Sequence, residues 1–169
     1  MQNNKIKNFT FLYYNIKMYC AQDILLFLLP MISGYLTSYF CPVGDSTGSN
    51  VPARPDPYVF MIVWPILYIL IGISWVNATK EIENDVTTIH IMYGFLIVLL
   101  CLWTYFYGCA KNKKYALYTI LLSLLALSII MLYSPTYLLL PLAVWLLFAT
   151  MLNLTEVNKE GFSIIPKLF

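Results

Sequence analysis

Charge is what this chain has least of. Only 11 % of its 169 residues are Asp, Glu, Lys or Arg, where a soluble domain carries about 25 %. Apolar residues make up 60 % and aromatic residues 17 %, and the combination sets the class as an integral membrane protein. The net charge of +2 and the lack of any large Lys/Arg cluster exclude the electrostatic footprint of a nucleic-acid partner. Histidine is reduced to His90. It stands at the edge of an apolar run with no second ligand inside the runs, so it reads as a solvated or interfacial residue rather than a haem or metal ligand. No metal site is expected.

Conventional catalytic patterns are missing too. There is no GxSxG, no HExxH and no acidic cluster. No Asp, Glu, Lys or Arg lies in the interior of a long apolar run, Glu156 standing at the very end of the last one. Charges inside a membrane mark proton relays, ion paths and voltage sensors, so their absence argues against a pump or channel. It also removes general acids and bases from membrane depth. The four cysteines, Cys20, Cys41, Cys101 and Cys109, show no CxxC spacing. They read as small hydrophobes in a bundle rather than as a metal or redox site. No internal repeat is strong enough to support an inverted-repeat transporter.

What is present is five apolar runs, which predict an all-α five-transmembrane-helix bundle with a proline-rich first loop. The spans run about 24–41, 58–76, 89–109, 115–133 and 137–157. Residues 1–23 form a basic, Tyr-rich N-terminal extension, either an interfacial segment or an irregular tail, and 159–169 a C-terminal tail; the membrane domain is 24–158. Pro30 and Gly34 lie inside span one, and Pro65 follows Trp64 in span two, so both helices are expected to bend. Pro42 to Pro57 is the longest loop, a lid or a plain linker. The turn Ser134–Thr136 is so short that spans four and five must be antiparallel neighbours. Lys and Arg number six on the C-terminal side and four on the other, a weak lean to a cytoplasmic C-terminus.

The stretch Asp56 to Trp75 organises the rest. At 100° per residue, Phe60, Trp64, Tyr68, Ile71 and Trp75 fall within about 80° of one another, an aromatic stripe on one helix face. In span five Pro141, Trp145, Phe148 and Leu152 cluster on one face with Ala149 beside them, and Asn153 supplies a polar group. The two faces are expected to look at each other across a pocket. Such stripes serve helix packing; they also suit a flat conjugated ligand held by offset stacking. Both readings stand on periodicity.

At these residues the sequence resembles the TspO/MBR family, the tryptophan-rich sensory proteins that include the mitochondrial translocator protein. Val59, Phe60, Val63, Trp64, Leu67, Tyr68 and Gly72 match the family pattern of span two. Pro141, Trp145, Phe148, Ala149, Leu152 and Asn153 match that of span five. Trp103, Phe106, Tyr107 and Gly108 resemble a span-three motif, and Gly34 fits a span-one glycine. The resemblance covers about residues 24–158. It implies a bundle closed by the first loop around a pocket for a tetrapyrrole such as protoporphyrin, with sterol a further ligand in animals and a homodimer common. No cofactor is required; the tetrapyrrole is ligand. The implied contact residues are Trp64, Trp103, Trp145, Ala149 and Leu152, which join Phe60, Tyr68, Phe148 and Asn153 from the stripes. Some members are linked to light-dependent porphyrin breakdown, which would rest on Trp64 and Trp145. Departures are Tyr58, Met61 and Leu142 for family Trp, Gly and Tyr, Leu100 for Asn, Thr119 for Asp, and no Trp in the first loop. No Tyr follows Asn153, so the short sterol motif is missing. Three functions follow as expectations: a binding protein acting as sensor, carrier or scavenger, a photochemical enzyme, or a membrane scaffold without ligand.

Overall fold

The computed structural model describes the backbone of residues 2–43, 55–82 and 85–159, and the side chains of 21–43, 55–56, 58–82 and 85–158. Five helices carry the chain: α1 (Gln2–Phe40), α2 (Pro57–Glu81), α3 (Val86–Thr104), α4 (Lys113–Tyr133) and α5 (Leu140–Lys159). All five contain a stretch long and apolar enough to cross a membrane, and the protein is an integral, multi-pass membrane protein. Most of the first loop, residues 44–54, lies outside the described residues, as does 160–169 of the tail, so the lid expectation is not addressed. The N-terminal extension is helical in its backbone and runs into span one without a break.

Each start and stop has a local cause. Pro57 opens α2 at a position where its missing N–H costs no hydrogen bond. Asp85 caps α3 by accepting from the Thr88 N–H at 3.4 Å, and Asn112 caps α4 by accepting from the Tyr115 N–H at 3.2 Å. The linker expected over Asn77–Thr88 is therefore shorter: α2 runs on to Glu81 and α3 begins at Val86. Lys80 helps hold that extra turn through an ion pair with Asp23 at 2.7 Å. Beyond Thr104 the helix widens into a π-turn, Tyr105–Cys109, and Lys111 takes a left-handed backbone (φ 50°) to reverse the chain. Thr136 accepts from the Leu138 N–H to start a short 3₁₀ turn ahead of α5.

Inside the bundle three buried hydroxyls serve their own helices. Thr104, Ser123 and Thr150 each donate to the carbonyl four residues back, at 3.1, 2.9 and 2.7 Å. No hydroxyl of these three is left unpaired where water is excluded. α1 packs on α2 and α3, α3 on α4, and α4 on α5. Gly72 lets α2 approach the Phe27 backbone so closely that a Cβ would collide with it. Ile71, Ile89, Tyr93, Leu96, Leu146 and Val157 are buried between the helices, while Ile62, Leu132, Val144 and Met151 lie on the outside. An apolar exterior is what a lipid-facing surface requires.

The two ends of the bundle differ. At the end where α1, α3 and α5 start, Trp75 donates its indole N–H to Nδ1 of His90 at 3.0 Å, and Gln22 Nε2 lies 3.4 Å from the other ring nitrogen. His90, expected as a solvated or interfacial residue, is thus a half-buried polar link between helices at the end of the bundle. Next to it the Ser74 and Tyr93 hydroxyls meet at 2.7 Å. The opposite end, where α1, α3 and α5 finish, holds two features that correct the sequence reading. Cys41 and Cys109 form a disulfide, so two of the four cysteines are cross-linked rather than packed as thiols; spacing could not show this, because α1 and α3 bring together residues far apart in sequence. Lys113, one of three closely spaced lysines between spans three and four, is buried with Glu156 rather than open to water. Its Nζ stands 3.5 Å from Glu156 Oε2 and 3.4 Å from the centre of the Tyr107 ring, and the Tyr107 hydroxyl donates to Glu156 Oε1 at 3.0 Å.

Candidate ligand-binding site

A cavity of about 630 Å³ opens in the half of the bundle nearest the disulfide. That volume falls within the range of small-molecule sites. Its walls come from three helices. α1 contributes Gly34, Tyr35 and Ser38, followed by Pro42 and Val43 just past its end. α2 contributes Phe60, Met61, Trp64, Pro65 and Tyr68. α3 contributes Trp103 and Thr104. Among the described residues the lining is mostly apolar and carries no charged side chain.

Aromatic rings form one continuous wall. Trp64 stacks on Tyr68 with ring centres 5.4 Å apart and 28° between planes, and lies 5.7 Å from Trp103 at 32°. Trp103 in turn stacks on Tyr107 at 5.4 Å and 26°. Helical geometry makes this possible: Trp64 and Tyr68 are one turn apart on α2, and Tyr107, in the π-turn that continues α3, follows Trp103 by about one turn. Gly34 faces the Tyr68 ring so closely that a Cβ there would run into it. Rings in offset stacks present a flat, polarisable surface, suited to another flat ring system.

The residues expected to contact ligand divide into two groups. Phe60, Trp64, Tyr68 and Trp103 line the cavity. Those of α5 do not; they stand behind the aromatic wall. Trp145 meets Phe60 edge-on at 5.4 Å and Trp64 at 6.5 Å, and packs on Phe148 at 5.6 Å. Ala149 and Asn153 are buried, the Asn153 amide donating to the Ala149 carbonyl at 2.9 Å, and Leu152 is half-buried. The faces of α2 and α5 therefore touch at Phe60, Trp64 and Trp145. Sequence reasoning passed over the α1 wall, though Gly34 and Ser38 lie one turn apart there, a small-residue spacing that leaves room at a helix face.

Three buried polar atoms near this wall make no hydrogen bond: Nε1 of Trp103, Nε1 of Trp145 and Oδ1 of Asn153. Unpaired buried polar atoms are costly and call for a physical reason. Among the described residues no three His, Cys, Asp or Glu side chains come together as metal ligands, and no acid–base pair faces the cavity. What the arrangement offers is apolar enclosure and stacking.

The model of the TspO/MBR family matches residues 25–157 of the chain. No curated protein matches it.

Proposed function

The chain belongs to the TspO/MBR family, and on that premise we propose that it binds a flat, hydrophobic ligand of the tetrapyrrole class in the cavity between α1, α2 and α3. The observation that carries this reading is the wall of Tyr68, Trp64 and Trp103 rings bordering a cavity of about 630 Å³. A planar macrocycle would lie against that wall, gaining about 0.5–1.5 kcal/mol per stacked ring beyond the burial of its own surface. Among the described lining residues there is no charged group, so recognition by them rests on shape and stacking, and affinity should tolerate changes at the edge of the macrocycle more than loss of its planarity. Binding of this kind serves a sensor, carrier or scavenger equally. Titration of protoporphyrin into the purified protein, read by quenching of tryptophan emission, tests the proposal. Saturable quenching that weakens in Trp64→Phe supports it; quenching equal to that of an unrelated membrane protein refutes it.

One observation favours a photochemical second reading. Trp103, Trp64 and Trp145 form a run of neighbouring rings with centres 5.7 and 6.5 Å apart. An excited porphyrin against Trp64 could accept an electron from that run, with molecular oxygen as the terminal oxidant. Loss of porphyrin absorbance under illumination, abolished without oxygen and slowed in Trp145→Phe, separates this reading from simple binding.

A further inference from the structure

The disulfide joins residues 68 positions apart, and it sits on the rim of the cavity. Cys41 directly follows α1, and the next two residues, Pro42 and Val43, are cavity wall. Cys109 ends the π-turn that continues α3, just beyond the wall residues Trp103 and Thr104. The two backbones also meet without the sulfurs: Gly108 packs against the Cys41 carbonyl, where a Cβ would collide with backbone atoms. Cys41 is buried whereas Cys109 is exposed, so one side of the bond is open to the surroundings. Disulfides persist in oxidising compartments and are rare where cellular thiols keep cysteines reduced.

We propose that Cys41–Cys109 is a redox latch on the mouth of the cavity, carried on a face of the bundle that meets an oxidising compartment. A dithiol reductant breaks the S–S bond by supplying two electrons and two protons; two thiols form and the reductant leaves as its own disulfide. The covalent tie between the end of α1 and the π-turn that continues α3 is then lost, leaving non-covalent contacts such as the one at Gly108, and the wall between α1 and α3 loosens. The end of α5 shares that face, because α1, α3 and α5 finish at the same end of the bundle. This orientation is the reverse of the one the six-against-four charge count leans to. The bond is the stronger indicator, since a difference of two charges biases insertion weakly while a reducing cytosol opposes an accessible disulfide. The effect on ligand rests on the cavity being the ligand site; the latch and the orientation do not.

The test uses the full-length protein. Alkylation in denaturant followed by mass measurement should modify two of the four cysteines before reduction and all four after it. In sealed vesicles of the expressing cell, a membrane-impermeant phosphine should open the bond only from the non-cytosolic side, water supplying the protons and the oxygen that leaves as phosphine oxide. Quenching of tryptophan emission by acrylamide should rise on reduction. It should already be high, and unresponsive, in the Cys41→Ser, Cys109→Ser double variant. Protoporphyrin affinity should fall about three- to tenfold on reduction, as a preorganised wall is lost. Four cysteines modified before reduction, opening from the cytosolic side alone, or unchanged quenching on reduction would each overturn the proposal. Should porphyrin bind in neither state, the ligand reading fails while alkylation and quenching still decide the latch.

Discussion

Trp64 and Trp145 touch edge to face, ring centres 6.5 Å apart and planes at 87°, so the tryptophan of α5 supports the tryptophan that borders the cavity. Trp64 lines the cavity, whereas Trp145 does not. Replacing each ring should therefore act differently. Trp64→Phe and Trp103→Phe remove stacking surface from the wall and should weaken protoporphyrin binding about two- to tenfold each. Trp145→Phe removes the backing and should lower the thermal unfolding midpoint while changing affinity less. Paired titration and unfolding curves on the three variants check this.

The glycines make a graded series. At Gly72 a Cβ meets the Phe27 backbone, which cannot rotate away; at Gly34 it meets the Tyr68 ring; at Gly94 it meets nothing. Gly72→Ala should cost about 1–3 kcal/mol through overpacking. Gly34→Ala should cost less stability but move Tyr68 and with it the porphyrin affinity. Gly94→Ala should be neutral or stabilise by up to about 1 kcal/mol through helix propensity. Unfolding in mixed detergent measures all three.

The buried pair Lys113–Glu156 predicts strong coupling. Lys113→Met leaves a carboxylate with little water around it and should cost about 3–5 kcal/mol. Adding Glu156→Gln, which keeps an acceptor for the Tyr107 hydroxyl, should recover most of that loss. A double-mutant cycle measures the difference; additive losses would contradict the pairing.

Asp85 gives a pH dependence with a definite sign. The Tyr133 hydroxyl donates to its Oδ2 at 2.6 Å, and with the Thr88 hydrogen bonds this holds the carboxyl below its ordinary value of 3.8. A lowered value means a contribution that is complete above 3.8 and is lost as pH falls through the lowered value. Below about pH 4 the unfolding midpoint of the wild type should fall more steeply than that of Asp85→Asn or Tyr133→Phe. Parallel curves would contradict the assignment.

The five spans were legible because charge is excluded from membrane depth, and the stripe Phe60–Trp64–Tyr68 because one helix sets its own periodicity. Trp103 came into view only through its resemblance to the family motif. What escaped notice depends on partners distant in sequence. Whether α5 faces a cavity or backs a wall is decided by how α2 and α5 pack, which periodicity cannot tell. Lys113 and Glu156 had a readable hint, since both stand at span ends on one side of the membrane. His90 had none, its partner Trp75 lying on another helix.

The most direct measurement is a dark titration of protoporphyrin into wild type and Trp64→Phe, followed by tryptophan emission and porphyrin absorbance. The account predicts saturable binding in the wild type, weakened in the variant, with a shift of the porphyrin band on binding. Identical, non-saturating curves for both proteins would contradict it and leave a membrane bundle whose aromatic wall serves packing alone.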